Sequence, residues 1–406
     1  MVFCSFFIRK ERVKKRMGEK KDEVWQLCAR TDKPEEEYVT VTLPKSSYEA
    51  FHCMLDYPIT GWHERDEMAM GRAEWNKDLY PLPADYRRRE DVPHGRIVGH
   101  TMEDCLFYPG VKHKYWVYTP AQYDSSTPAD LILFLDGQMY MREACTEPIR
   151  PKDGKRVTMS DLLDAVPADG ELSLPADRDN VTDLLDNLIA DGKIPLTVAV
   201  FLTPGYPGPG EPVYGTGKGI TNRSMEYDTV SDWFPRFLAE EFLPKALAGY
   251  QITADPAGHS VVGLSSSGIA SFAVAWYDNH LFGNVIAGSP SFGNIRGGNI
   301  WPSIIRMTDE KKALRTCMCV GKYDADIIFG DWILADSDVA SALNYRGYDF
   351  RLMINEMGHS LTFLKYMLPQ ALAWFYHGED VNPTHCRILR PTPLVTEPPK
   401  RNERKT

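Results

Sequence analysis

The chain has 406 residues, enough for one large α/β domain with an extension or for two ordinary domains. Its hydrophobic content of 43% and its 29 prolines indicate a globular, loop-rich protein with a sizeable core. A formal net charge of −10 argues against general nucleic-acid binding, since the basic residues concentrate only near the two ends.

The eight cysteines are scattered without a CxxC pair, which argues against a zinc site or a disulfide framework. Cys317 and Cys319 alternate in a predicted strand and are expected to be buried on one face. The apolar run at 2–8 is too short for a signal peptide, and no segment approaches the ~20 apolar residues of a membrane span. We therefore expect a cytoplasmic protein with no metal, no cofactor and no membrane association.

Three regions are predicted along the chain. Residues 1–95 form an N-terminal extension, in which the charged stretch 1–35 is expected to be poorly ordered. Aromatic residues between 51 and 80 predict that the rest of the extension packs on the main body, and it could also form a wall of a substrate pocket. Residues 96–380 form the main domain, and residues 381–406, rich in Pro, Lys and Arg, form a loose tail.

Strand and helix patterns alternate from about residue 95 onward. An antiparallel entry pair is predicted at 105–108 and 115–119. Continuous apolar runs typical of buried parallel strands and the helical patterns between them follow. The strands are predicted at 131–135, 196–202, 259–263, 284–287, 316–320 and 350–355, and the helices at 180–190, at 229–248, from the turn at Ser265 through 276, at 331–345 and at 364–376. This alternation predicts an α/β fold in which a mainly parallel central sheet carries helices on both faces.

One strand-to-helix turn carries a candidate nucleophile. A short β-branched run ends at Gly263, Ser265 follows two residues later, and a small-residue helical pattern begins at once. This is the pattern of a nucleophile elbow, a sharp turn that raises a serine hydroxyl above a parallel sheet. Ser267 stands where the pattern has glycine, and a shifted frame would use Ser266 with Gly268. We favour Ser265 because Gly263 marks the end of the strand; a serine-rich turn without chemistry is the other interpretation.

A serine needs a base to take its proton and an acid to orient that base. His359 lies in a turn directly after a predicted strand near the end of the domain, and it is the candidate base. Asp324 follows the preceding predicted strand and is the candidate acid. Asp326 in the same loop is an alternative, and Asp331 fits a helix start better. The order serine, aspartate, histidine is that of α/β-hydrolases.

An oxyanion hole in such a fold uses two backbone N–H groups. The first is expected from Ser266, which follows the candidate nucleophile. The second is expected from Gln138 or Met139, in the loop where Gly137 allows the backbone to bend inward. An ordinary turn at Gly137-Gln138 is the alternative.

Four stretches carry a resemblance to a known family: the elbow, the segment Leu135-Asp136-Gly137-Gln138, and the segments 222–228 and 288–298. With them, residues ~100–380 resemble the enterochelin-esterase-like branch of the α/β-hydrolases, the esterase family D group. The resemblance implies an α/β-hydrolase catalytic domain at 96–380 and a serine esterase with Ser265, Asp324 and His359 as its triad.

The resemblance also implies roles for three charged residues. Arg223 and Glu226 are expected to shape the substrate site as an ion pair that braces a loop, and the alternative is a surface pair before a helix. Arg296, in the segment 288–298, is the third candidate for substrate binding.

The predicted function is therefore a cofactor-independent serine esterase that cleaves a small-molecule carboxylic ester through an acyl-enzyme. An acyltransferase that uses the same residues, and a catalytically silent hydrolase fold used for binding, are the alternatives. The ester could be a catecholate siderophore, an aromatic ester, a sugar acyl ester or a lactone. The oligomeric state stays open, and a homodimer is compatible with a docked N-terminal segment.

Overall fold

The computed structural model describes most of the main domain and part of the N-terminal region. The described residues are 6–9, 24–30, 38–44, 68–141, 169–172, 180–207 and 222–393. The first three of these ranges are strands β1 (Phe6–Arg9), β2 (Val24–Arg30) and β3 (Tyr38–Pro44), which pair as a small antiparallel sheet in the order β1-β2-β3.

A single 11-stranded sheet organises the rest of the described chain. Its strands are β4 (Arg96–Met102), β5 (Val111–Thr119), β6 (Asp130–Leu135), β7 (Gly170–Glu171), β8 (Thr197–Leu202), β9 (Tyr206–Pro207), β10 (His259–Leu264), β11 (Asn284–Gly288), β12 (Arg315–Gly321), β15 (Asp349–Asn355) and β16 (Arg387–Leu389). A separate hairpin consists of β13 (Asp326–Ile327) and β14 (Gly330–Asp331). The main sheet runs in the order β16-β15-β12-β11-β10-β6-β8-β5-β4-β7, and β9 pairs with β5. The central strands from β15 to β8 are parallel, and the strands outside them are antiparallel.

Helices cover both faces of this sheet. They are α1 (Gln138–Met141), α2 (Val181–Ala190), α3 (Arg223–Tyr227), α4 (Trp233–Arg236), α5 (Leu243–Ala246), α6 (Ser266–Tyr277), α7 (Trp301–Met307), α8 (Trp332–Tyr345) and α9 (Leu361–His377). A π-helical segment, Phe237–Phe242, joins α4 to α5. None of the helices within the described ranges is long and apolar enough to cross a membrane.

Strand β6 shows how the sheet divides the core in two. Its residues Leu131, Leu133 and Leu135 pack in the cluster that α4 to α8 cover. The alternate residues Ile132 and Phe134 pack in the other cluster, which α2 and α9 cover. Because both faces are buried, the strand is apolar throughout, as parallel strands in α/β folds are. The predicted α/β-hydrolase fold, with a mainly parallel sheet between helical layers, is confirmed.

Of the two strands predicted for the antiparallel entry pair, the one at 115–119 forms as part of β5, and the one at 105–108 does not form. Strand β5 pairs antiparallel with β4, β8 and β9. The N–H groups of Leu106 and Phe107 instead donate to the carboxylate of Glu241, at 2.9 Å and 3.1 Å. Cys105 is buried in the core beside them. A buried carboxylate therefore takes the backbone donors that a strand partner would otherwise have taken.

The predicted loose tail, 381–406, is wrong for its first part. Strand β16 pairs antiparallel with β15 and extends the edge of the sheet. Val381 is buried, and Arg390 donates to Asp380 at 2.7 Å. Residues 394–406 lie outside the described residues. The stretch 1–35, expected to be poorly ordered, contains strands β1 and β2, and its other residues lie outside the described part.

Residues 68–95 of the extension pack on the main domain. Tyr80 and Tyr86 are buried, and the ring of Tyr80 lies edge-on to Phe363 at 4.8 Å. The hydroxyl of Tyr86 donates to the carbonyl of Lys365 at 2.9 Å. Both tyrosines therefore contact α9, the helix that covers one face of the sheet.

Phe201 offers a direct test of this core. Its ring stacks on Phe134 at 4.6 Å between two adjacent strands, and its side chain is fully buried. We expect Phe201→Ala to lower the free energy of unfolding by about 3–5 kcal/mol, because it removes buried area and leaves a cavity. Urea denaturation measures this, with Leu334→Ala as the control: Leu334 is 70% exposed, so its loss should change stability by no more than about 0.5 kcal/mol. Equal effects of the two substitutions would contradict the assigned packing.

Candidate active site

Four neighbouring parallel strands bring the candidate residues to one edge of the sheet. Strands β10, β11, β12 and β15 lie side by side, and each ends just before a residue of interest. Ser265 follows β10, Ser289 follows β11, Asp324 comes three residues after β12, and His359 comes four residues after β15. Ligand and catalytic sites of open α/β sheets lie at this carboxyl edge.

Ser265 occupies a strained turn between β10 and α6. Its backbone has φ 63° and ψ −122°, and its N–H donates to the carbonyl of Gly288 at 2.8 Å. A non-glycine residue in such a conformation costs about 1–3 kcal/mol and is found mostly at functional sites. A Cβ on Gly263 would lie 2.1 Å from the carbonyl oxygen of Ser267, so only glycine fits there. The turn therefore has the geometry of a nucleophile elbow, with Ser265 at its apex and Ser266 as the first residue of the helix.

Ser267, which replaces the expected glycine, closes the turn from inside. Its buried hydroxyl donates to the carbonyl of Leu264 at 2.7 Å and accepts from the N–H of the same residue at 2.9 Å. The hydroxyl thus satisfies both backbone groups of the last strand residue, and the substitution is compatible with the elbow.

Asp324 is the acid that reaches the imidazole. Its Oδ1 lies 2.7 Å from His359 Nδ1, while its Oδ2 accepts from Ser289 Oγ at 2.6 Å and from the Gly321 N–H at 2.9 Å. Asp326 lies instead in the hairpin strand β13. Asp331 caps α8 by accepting from the Leu334 N–H, as expected for a helix start. Among the three candidate acids, the geometry favours Asp324.

The pKa of Asp324 lies below its ordinary value. Burial acts to raise it, but the neighbouring His359 and the hydrogen bonds from Ser289 and Gly321 outweigh burial. Asp324 is therefore ionised at neutral pH and accepts a hydrogen bond from Nδ1 of the ring, which leaves Nε2 as the basic nitrogen.

A second buried carboxyl group interacts with Asp324. Asp336 on α8 is fully buried, and neither of its oxygens has a hydrogen-bond partner among the described residues. Burial, together with the charges of Asp324 and Asp331, raises its pKa well above the ordinary value. The surroundings of Asp336 therefore favour its neutral form over its charged form.

The serine and the histidine follow β10 and β15, which lie in the same sheet with β11 and β12 between them. Within the described residues no hydrogen bond joins Ser265 to His359; Ser265 Oγ lies 3.3 Å from Ser291 Oγ instead. The imidazole of His359 lies edge-on to the ring of Trp332, at 6.0 Å between centroids. Catalytic hydrogen bonds often form only when substrate is bound, so this arrangement is compatible with a triad.

The candidate oxyanion donors flank the elbow. The N–H of Ser266 belongs to the first turn of α6, where backbone donors have no acceptor within the helix. In the loop after β6, the N–H of Met139 is already bonded to the carbonyl of Asp136 at 2.8 Å. The second donor, from Gln138 or Met139, stays a prediction.

The predicted ion pair between Arg223 and Glu226 does not form. Arg223 pairs with Asp136: its Nε lies 2.9 Å from Oδ1 and its Nη2 lies 2.6 Å from Oδ2. The same Nη2 lies 3.4 Å from the carbonyl oxygen of Leu264. Arg223 thus ties the loop after β6 to the end of the elbow strand. Asp136 has a positive φ of 55°, so the pair also holds a strained backbone position.

Glu226 is fully enclosed, which contradicts a surface pair, and its part in substrate binding stays a prediction. Its Oε1 lies 3.1 Å from His113 Nε2 and accepts from Asn222 Nδ2 at 2.9 Å. Its Oε2 accepts from the N–H of Gly205 at 3.0 Å. Its role in this structure is to hold together β5, the end of β8 and the start of α3.

Arg296 is buried near the same helix. Its Nε donates to Ser224 Oγ at 3.0 Å. Contact of Arg296 with a substrate stays a prediction.

Sequence reasoning assigned no role to several residues that complete the site. Ser289 and Ser291 lie in the segment 288–298, and Asp136 lies in the segment Leu135-Asp136-Gly137-Gln138, but neither segment indicated a role for them. No sequence pattern indicated His113. A serine directly after a predicted strand, as at Ser289 with φ 41°, is the pattern that could have indicated a second strained turn.

One group elsewhere has the side chains of a metal site. Ligand-type atoms of His94, Asp183 and Asp186 all lie within 4.8 Å of one another. The two carboxylates already accept hydrogen bonds, from Tyr118 to Asp186 at 2.5 Å and from Asn180 to Asp183 at 2.8 Å. Protein donors therefore satisfy this cluster, which shares no residue with the site at the carboxyl edge.

The fold, the elbow and the acid–imidazole pair define the chain as an α/β-hydrolase. Residues 108–328, more than half of the chain, match the sequence profile of the Esterase family. The chain belongs to this family of ester hydrolases, and the predicted resemblance is confirmed. No curated protein sequence matches the chain.

Solved structures of esterases share the fold. Enterobactin esterase from Shigella flexneri has a TM-score of 0.50 and 14% identity, over 73% of this chain and 63% of that chain. Ferric enterobactin esterase from Salmonella typhimurium has a TM-score of 0.51 and 16% identity, over 73% and 62%. A ferulic acid esterase from Anaeromyces mucronatus has a TM-score of 0.50 and 16% identity, over 72% and 94%. The chain thus spans less than two thirds of the length of the two enterobactin esterases.

The Arg223–Asp136 pair is testable as a structural link. Removing one partner of a buried pair leaves the other charge uncompensated, so we expect Arg223→Met to lower the free energy of unfolding by about 3 kcal/mol. The double variant Arg223→Met/Asp136→Asn should recover part of this loss, because the remaining group is neutral. Chemical denaturation of the wild type, both single variants and the double variant gives the coupling free energy. Strictly additive effects would show that the two side chains do not interact.

Proposed function

We propose that this protein is a serine hydrolase that cleaves a small-molecule carboxylic ester through an acyl-enzyme. The observation that carries the proposal is the Asp324–His359 hydrogen bond beside a serine held at positive φ on the same sheet edge. Membership of the Esterase family supports the reaction class. The structural relatives named above are, by their names, esterases of enterobactin and of ferulic acid.

The reaction begins when Ser265 exchanges its contact with Ser291 for one with His359. Nε2 of His359 takes the hydroxyl proton as Ser265 Oγ attacks the ester carbonyl carbon. The imidazolium is stabilised by Asp324, and it returns the proton to the leaving alcohol when the C–O bond breaks. Water, deprotonated by the same nitrogen, then attacks the acyl-enzyme and releases the acid.

Backbone donors stabilise the negative oxygen of the tetrahedral intermediate. We assign these donors to the N–H of Ser266 and to the N–H of Gln138 or Met139, of which the Met139 N–H also bonds the carbonyl of Asp136. In other serine hydrolases, loss of one such donor costs about 3–4 kcal/mol of transition-state stabilisation. Arg223 supports this arrangement indirectly, because it binds both the loop after β6 and the end of β10.

Covalent labelling tests the nucleophile. We expect the wild-type protein to react with a fluorophosphonate probe and Ser265→Ala to lose the label completely, because the probe needs an activated hydroxyl. Intact-protein mass spectrometry measures the adduct. Ser266→Ala is the matched control and should still be labelled, since only its backbone N–H is used. Failure of the wild type to react would instead favour a binding protein with a hydrolase fold.

Two neighbouring aspartates test the acid. We expect Asp324→Asn to lower kcat for an activated ester by about 10⁴-fold, because an amide cannot hold the imidazole in the required tautomer. Asp326→Asn, which makes the same chemical change two residues away, should keep kcat within about threefold of the wild type. Steady-state hydrolysis of a p-nitrophenyl ester measures both. A larger loss in Asp326→Asn would reassign the acid.

A further inference from the structure

We propose that residues 72–80 form a brace that positions the catalytic histidine, with Glu74 and Asn76 as positioning residues. The inference rests on the proposed function and adds residues to its catalytic apparatus. The brace precedes the main sheet and lies outside the region matched to the Esterase family, residues 108–328.

The loop that carries His359, residues 356–360, contains no helix or strand. It runs from the end of β15 at Asn355 to the start of α9 at Leu361, and His359 lies near its middle. The position of the imidazole therefore depends on what holds this loop from outside. Asp324 holds the ring itself, through Nδ1.

The brace binds the loop on the N-terminal side of the histidine through main-chain groups. Asn76 Nδ2 donates to the carbonyl of Glu356 at 2.8 Å, and the N–H of Glu356 donates to the Tyr80 hydroxyl at 2.9 Å. The N–H of Gly358 lies 3.3 Å from the carbonyl of Ala73. Both backbone polar groups of Glu356 thus have their partners in the brace.

Glu74 holds the other side of the histidine. Its Oε1 accepts from Ser360 Oγ at 2.5 Å, and its Oε2 accepts from Thr362 Oγ1 at 3.1 Å. Ser360 is in turn the N-cap of α9, accepting from the Thr362 N–H at 3.0 Å. The residues immediately before and after His359 are therefore both bonded to the brace.

Close packing joins the brace, the histidine loop and the acid loop. A Cβ on Gly358 would lie 2.4 Å from the carbonyl oxygen of Arg72, so the brace passes directly over the residue before His359. Trp75 in the brace lies edge-on to Tyr323, at 5.4 Å, next to Asp324. The brace thus contacts the neighbours of both the base and the acid.

The brace is suited to positioning more than to stabilising the fold. Glu74 and Asn76 lie on the exposed surface of the chain, where single hydrogen bonds contribute little to global stability. A displacement of a catalytic group by about 1 Å can nevertheless cost as much as 10²-fold in rate. Removing the side-chain contacts should therefore affect turnover far more than folding.

The full-length protein carrying Glu74→Ala tests this. We expect kcat for a p-nitrophenyl ester to fall about tenfold, and labelling of Ser265 by the fluorophosphonate to slow in parallel. KM should change by no more than about twofold, because substrate binding is not altered. Glu74→Gln, which keeps an oxygen to accept from Ser360, should retain most of the rate. Asp78→Ala removes an exposed acidic side chain that makes none of the contacts described above, and it should behave as the wild type.

Hydrogen exchange measured by mass spectrometry gives a readout that does not depend on catalysis. We expect faster exchange in the peptide that covers 356–362 for Glu74→Ala, and wild-type exchange for Asp78→Ala. A wild-type kcat and unchanged exchange in Glu74→Ala would overturn the inference while leaving the proposed function intact. Equal losses of kcat and thermal stability in Glu74→Ala and Asp78→Ala would also overturn it. If the wild type is neither labelled nor active, the proposed function falls, and this inference falls with it.

Discussion

The hydrogen bond between Asp324 and His359 depends on a buried carboxylate, that of Asp324, which the protein keeps ionised. A carboxylate with almost no access to water is stable only when donors surround it. Asp324 obtains them from Ser289 at the end of β11, from Gly321 at the end of β12 and from the imidazole itself. The alignment of three adjacent strands is therefore a condition for the ionised acid.

Buried polar pairs also shape the other half of the site. Arg223 neutralises Asp136, and His113 accompanies Glu226 with both side chains fully enclosed. Each pair joins elements that are distant in sequence, so that the loop after β6, the end of β8 and the start of α3 are held in one arrangement. Such pairs give the folded state little more stability than well-packed apolar residues would. Removing one partner of a pair, however, lowers the stability strongly. Their effect here is to fix the loop that faces the elbow.

Local patterns in the sequence were sufficient to predict the fold class and to select the residues that the proposed triad uses. Ser265, Asp324 and His359 each stand a few residues after an apolar strand, and strand periodicity is a short-range signal. The polar partners could not be predicted in this way. Arg223 binds a residue 87 positions away, and Glu74 binds one 286 positions away. The residues around a charged side chain in the sequence do not indicate which distant residue it will pair with. The expected Arg223–Glu226 pair was wrong for this reason. The strand expected at 105–108 failed for the same reason, since the acceptor for its N–H groups, Glu241, lies on a distant helix.

Ser267 has a consequence for how relatives of this chain are recognised. The elbow requires a side chain at this position that does not collide with the adjacent strand. The small hydroxymethyl group of Ser267, folded back on Leu264, meets this requirement as the side chain of glycine would. A text pattern that insists on glycine there would pass over this chain and any others that made the same exchange. Such a search should specify a side chain small enough to fit the turn and should not require glycine itself.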